Sequence, residues 1–170
     1  GTAGMSVFLS LLGAEDGRWT EPQRISRDVE RSEQNPLLFV SDECLHLIHS
    51  AQLVRDPADR DALEGSSNFS MQWTAVLRHQ RLVLERLDLA DPETWSAEVW
   101  STPVDLLNDP AFCRNPPHPL ESGDWLLPIY RSLEAGGAFG HDHSEMVRLD
   151  PSGQCLDKPL GIPDSTGRVH

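Results

Sequence analysis

The chain has 170 residues, 27 of them acidic against 14 basic, and a formal charge of −13. That length suits about one domain with a real core, and an apolar share of 38% is too high for a disordered chain. The negative balance argues against nucleic acid or an anionic membrane as partner, because either would need basic residues to displace counterions. No apolar run reaches the roughly 18 residues of a membrane span, and no basic start followed by an apolar stretch marks a signal peptide. Cys44, Cys113 and Cys155 are odd in number and far apart, with no CxxC pair, which argues against a zinc ribbon, a redox motif and a disulfide scaffold.

In chain order, 13 prolines and 12 glycines punctuate short apolar runs of strand length. Pro36-Leu37-Leu38-Phe39-Val40, the turn Ser41-Asp42-Glu43 and Leu45-His46-Leu47-Ile48-His49 predict a β-hairpin. Residues 55–68, rich in Asp, Arg, Ser and Gly, predict an exposed insertion. From Trp73 to Leu87 the apolar spacing fits helix or strand, and local propensity favours helix; its place in the repeat described below assigns it to a long strand or hairpin arm. A second hairpin is predicted from Pro117-His118-Pro119-Leu120, through Glu121-Ser122-Gly123-Asp124, to Trp125-Leu126-Leu127-Pro128-Ile129-Tyr130. The chain reads as all-β.

Three segments share an internal order. Arg18-Trp19-Thr20-Glu21-Pro22 leads to Glu33-Gln34-Asn35-Pro36, Thr94-Trp95-Ser96 to Cys113-Arg114-Asn115-Pro116, and Asp150-Pro151-Ser152-Gly153-Gln154-Cys155 to Gly167-Arg168-Val169-His170. Repeats of about fifty residues with four short strands suggest propeller blades. Together with Arg31-Ser32-Glu33-Gln34-Asn35-Pro36, His49-Ser50-Ala51-Gln52, Ser70-Met71-Gln72-Trp73, Asp124 to Tyr130 and Gly140-His141-Asp142-His143-Ser144, the set resembles the sialidase-like (neuraminidase) family, whose Asp-box repeats sit on a six-bladed β-propeller. The boxes are degenerate here: Asp16-Gly17-Arg18-Trp19 is shortened, the stretch from Ala90 to Trp95 lacks the aspartate at its expected place and has Asp91-Pro92 instead of glycines, and the one from Asp150 ends in Cys155. The resemblance implies a partial propeller: residues 2–26 an outer half blade, 33–104 and 113–161 two blades, and 168–170 the start of another.

The resemblance also implies site residues. Gln34 and Asn35, Arg114 and Asn115, and Arg168 with His170 fall at the starts of successive innermost strands, which face a propeller's channel. Sialidases hold the sugar carboxylate with arginines, whose planar fork donates two parallel hydrogen bonds; Arg31, Arg114 and Arg168 are the candidates. For proton transfer the candidates are Glu33 and Asp142, and for a tyrosine nucleophile Tyr130, which also reads as an aromatic closing its hairpin. Gln52, Gln72 and Trp73 match positions for hydrogen-bonding and stacking a sugar, Trp73 also fitting a core position. His141 and His143, two apart on a strand, share a face; with no third ligand at telling spacing they read as a polar channel wall, and no metal or other cofactor is expected.

The expected function is that of a fragment of a sialidase-like glycoside hydrolase binding an acidic sugar or glycan in its channel. The alternative is a carbohydrate-binding or assembly module without turnover, and an unrelated mixed fold would follow from a helical 73–87 segment. Open blade edges further predict a homodimer or larger assembly.

Overall fold

In the computed structural model, which describes residues 5–26, 28–53, 74–131 and 142–165, the two hairpins anchor two of three antiparallel sheets. Strands β1 (Phe8–Leu9) and β2 (Gln23–Arg24) form the first. The second is a meander of β3 (Arg31–Ser41), β4 (Cys44–Leu53), β5 (Val76–Val83) and β6 (Val104–Asp105), hydrogen-bonded in that order. In the third, β7 (Phe112–Cys113) and β8 (His118–Pro119) both pair with β9 (Trp125–Arg131), followed by β10 (His143–Leu149) and β11 (Leu160–Gly161). No α-helix occurs among the described residues, and no helix there is long and apolar enough to cross a membrane.

The β3–β4 turn shows how sequence sets register. Ser41 pairs with Cys44 across Asp42 and Glu43, whose φ values of 47° and 57° both lie in the left-handed region. Two such residues give the turn whose twist matches the flanking strands, and a short polar Asp tolerates that conformation best after glycine. Farther along, the ladder shifts register between Gln34 and Leu37. Asn35, with φ 55°, and Pro36, which has no N–H to offer a ladder, form this bulge.

Strand β4 is buried along both faces, so it works as the central layer. Its Ile48 joins Leu37, Leu77, Leu127 and Val147 in the core between the second and third sheets. Leu47 joins Leu9, Ile25, Leu82 and Trp95 in the core between the first and second. By alternation, His46 and Ser50 face the third sheet with Ile48, and His49 faces the first with Leu47.

The segment from Trp73 to Leu87, where local propensity favours helix, is extended over Val76–Val83 and tightens into a 3-10 turn at Leu84–Arg86. Pairing with β4 from Cys44↔Val83 to Ala51↔Val76 outweighs the small helix preference of Leu, Arg and Gln. The degenerate box segments all fall in turns leading toward the last strand of their sheet. Asp16 Oδ1 accepts from the Arg18 N–H at 3.0 Å, and Asp150 Oδ1 accepts from the Gln154 N–H at 2.9 Å. Trp95 is fully buried, whereas Trp19 is 67% exposed. The expected 55–68 insertion lies outside the described residues.

The seam between the second and third sheets is aromatic. Trp125 packs on Phe39 with ring centroids 4.8 Å apart, and Phe39 stacks on His46 at the same separation. His46 donates from Nε2 to the Ser41 carbonyl at 3.1 Å, which leaves its Nδ1 to accept from His79 Nε2 at 2.9 Å. Gly153, with φ 85°, seats the Asp150–Gln154 turn on this pair; a Cβ there would lie 2.5 Å from the His79 ring.

Candidate functional site

Strand β3 passes through the Asn35-Pro36 step and β7 runs on into Asn115-Pro116, and there the two sheets meet. Asn35, Pro36, Arg114 and Asn115 line one hollow of about 390 Å3. Arg114 and Asn115 also line a second, of about 260 Å3, with His118, Pro128, Tyr130, Ser144 and Met146 among its walls.

A buried contact fixes the spacing of the first hollow. The Cys113 N–H donates to Ser50 Oγ at 3.1 Å, and the Cys113 thiol to the Asn35 carbonyl at 3.5 Å. Burial pushes the Cys113 thiol up to about 12, so it stays protonated and able to donate. The residues directly after Cys113 and directly after Asn35 are thereby tied across the sheet junction.

The other expected site residues are distributed as follows. Gln34 is half-buried on β3 opposite Ser50, and Gln52 is buried on β4 opposite Ser32. Arg31 donates to the carbonyls of Ala51 at 3.2 Å and Thr74 at 2.7 Å, beside Asp28, so its guanidinium is occupied within the second sheet. Glu33 is 4% exposed and accepts from His49 Nε2 at 3.2 Å, while its Oε2 and His49 Nδ1 have no hydrogen-bond partner among the described residues. Asp142 is buried, and neither it nor Glu33 is among the residues lining the two hollows. His143 bonds Glu145 Oε1 at 3.0 Å, and Arg131 holds the other oxygen of that carboxylate at 2.7 Å. Gln72, Trp73, His141 and Arg168 lie outside the described residues.

Tyr130 stacks on Phe112, with centroids 5.1 Å apart and planes 11° from parallel. Burial pushes its phenol up; Arg114 opposes the shift and Asp142 adds to it. A phenol raised in this way stays protonated at neutral pH, which suits a hydrogen-bond donor better than a nucleophile. Among the described residues no group of three or more His, Cys, Asp or Glu is placed to hold a metal ion.

Sequence reasoning placed His49, Ser50 and Cys113 in motifs and His118 in a hairpin, but named none of them as a site residue. The signal for Cys113 was adjacency to Arg114, and for Ser50 its place opposite Gln34 across the hairpin, which only the register reveals.

Comparisons with known proteins agree with this architecture. Residues 1–161 match the BNR repeat-like domain. The chain superposes on the α-L-arabinanase of Penicillium chrysogenum, solved in complex with arabinobiose, with a TM-score of 0.56 and 14% identity, over 96% of this chain and 43% of that one. The chain thus spans less than half of the arabinanase's length, and at this identity the likeness is one of fold. Among curated proteins none matches it. With its antiparallel sheets stacked face to face and the family match covering nearly its whole length, the chain has an all-β, propeller-like fold and belongs to the BNR repeat-like domain family.

Proposed function

We propose that this chain binds an acidic sugar, free or at the end of a glycan, in the hollow between its two Asn-Pro steps, as part of a sialidase-like glycoside hydrolase architecture. The observation that carries the reading is the placement of Arg114 and Asn115 opposite Asn35 and Pro36 at the junction of β3 and β7. In a chain of charge −13 an anionic ligand needs a local cation, and a guanidinium supplies both charge and a planar fork for the carboxylate. Asn35 and Asn115 bring amide groups suited to sugar hydroxyls. The arabinanase, solved with a disaccharide, supports a sugar as the ligand class.

Titration calorimetry with N-acetylneuraminic acid tests this. Arg114→Gln removes a charged hydrogen-bond donor, worth about 1.5–3 kcal/mol, and should weaken binding ten- to a hundredfold. An unchanged affinity would refute the reading. A second reading, binding without turnover, is favoured by the raised Tyr130 phenol and by the burial of Glu33 against His49. Release of fluorophore from a fluorogenic sialoside would exclude it.

A further inference from the structure

Two apolar faces of different sheets point away from the rest of the chain. In the first sheet Leu9 packs toward β4, so its neighbour Phe8 points outward, and Leu12 and Trp19, bridged to each other, share that side. Phe8, Leu12 and Trp19 are 58%, 50% and 67% exposed. In the third sheet Leu127, Ile129 and Val147 face the second, so Pro128, Tyr130 and Met146 face out; with Ile162 they floor the second hollow of about 260 Å3. The second sheet lies between the two faces and keeps them apart within one chain.

Each face lacks what the other has. Trp19 is a large aromatic side chain standing in solvent, and the hollow has room for one. Charge matches as well. Exposed Glu15, Asp16 and Glu21 flank Trp19 against the single Arg18. The hollow has Arg114 on its wall, and its one carboxylate among the described residues, that of Glu145, is held by Arg131 and His143. Phe112 stacks on the Tyr130 ring almost in parallel, so the floor is rigid before anything docks.

We propose that a second copy of this chain docks head to tail, with Trp19 of one copy seated in the Tyr130–Met146 hollow of the other and the first sheet of one stacked on the third sheet of the other. The contact repeats between copies the face-to-face stacking that joins the sheets within one. A tryptophan in a preformed pocket, with opposite charge around it, is the pattern of an interface anchor. The contact is heterologous, since each copy offers two different surfaces. No bound sugar is needed for it.

The experiment mixes two variants, each disabled on one face. Trp19→Lys spoils the first sheet and Ile162→Lys the hollow; both residues are exposed, at 67% and 38%, so the fold tolerates either change. In sedimentation equilibrium at tens of micromolar the wild type should associate, and either variant alone should stay near 18.9 kDa, its association at least tenfold weaker. An equimolar mixture of the two should regain a species of twice that mass, because Trp19→Lys keeps its hollow and Ile162→Lys keeps its tryptophan. Tyr130 is the one tyrosine in the chain, so 3-fluorotyrosine places a single 19F resonance in the hollow. In labelled Trp19→Lys it should shift when unlabelled Ile162→Lys is added; in labelled Ile162→Lys it should ignore unlabelled Trp19→Lys. In the wild type it should move with protein concentration, a readout that needs no variant to fold. A lone 18.9 kDa wild-type species, association of Ile162→Lys as tight as the wild type's, a mixture that stays monomeric, or a fluorine signal that shifts in both labelled mixtures or in neither overturns the proposal.

Discussion

The His46–His79 pair makes stability depend on pH in a window of its own. Both rings are almost fully buried, and the 2.9 Å bond between them needs an unprotonated His46 Nδ1 to accept from His79, while burial disfavours a charge on either ring. Burial lowers both pKa values; for His79 the charge of His46 and of Arg81 adds to the fall, with Asp150 opposing, and the result is about 4 against an ordinary 6.5. Arg81 also lowers His46, against Asp42 and Asp150. Since the unfolded chain takes up protons first, the pair's contribution is intact above pH 6.5 and is lost as pH falls toward 4. For His79 alone that loss is about 2–3 kcal/mol, which for a chain this long is a drop of about 4–12 °C in melting temperature. His79→Gln keeps an N–H donor for His46 Nδ1 but cannot titrate. Calorimetric melting from pH 7 to 4.5 should therefore fall much less steeply in His79→Gln than in the wild type. The carboxylates Asp28 and Asp150, held below 3.8, lose their contributions only at lower pH and leave this window clear. Parallel curves for the two proteins between pH 7 and 4.5 would refute the reasoning.

The same seam predicts that Gly153→Ala is costly. The new methyl group would meet the His79 ring at 2.5 Å on a backbone with φ 85°, and urea unfolding should register a loss of about 2–4 kcal/mol; a change under about 0.5 kcal/mol would mean the turn does not press on the histidines. On the outward side of the first sheet, Phe8, Leu12 and Trp19 are each at least half exposed, an apolar strip that favours self-association. Sedimentation equilibrium at tens of micromolar should find a dimer or larger species, weakened tenfold or more by Trp19→Lys; a lone 18.9 kDa species would reject this.

Much of the fold was legible because alternation and turn chemistry are local. The polar turn of Asp42 and Glu43 between two apolar runs marks the β3–β4 hairpin, and the glycine turn ahead of Trp125 marks the β8–β9 pairing. The stretch from Val76 to Val83 was the hard case. Its Leu, Arg and Gln residues are good helix formers, and what decides it is the ladder that β4 offers, a partner more than twenty residues upstream. The histidines were harder still. His46 and His79 lie two positions off direct opposition, since Ile48 faces His79 and His46 faces Arg81, so no spacing within either strand announces their contact.

The fate of Glu33 turns on a single inserted residue. Counting back from the Ser41↔Cys44 pair, an unbroken ladder would set Glu33 opposite Gln52, on the face that carries Ile48 and Ser50 and looks toward the third sheet. The bulge at Asn35 and Pro36 shifts the register by one, so Glu33 stands opposite Ala51 instead, and a shift of one moves a side chain to the other face. There it meets His49, on the side of the first sheet and away from the hollow that its neighbours line. The signal lay in the chain: a proline breaks a ladder, and an asparagine before it accepts the left-handed backbone that a bulge requires. One Asn-Pro step therefore does two things. It delivers Asn35 to the wall it shares with Arg114, and it withdraws the adjacent carboxylate into the protein interior.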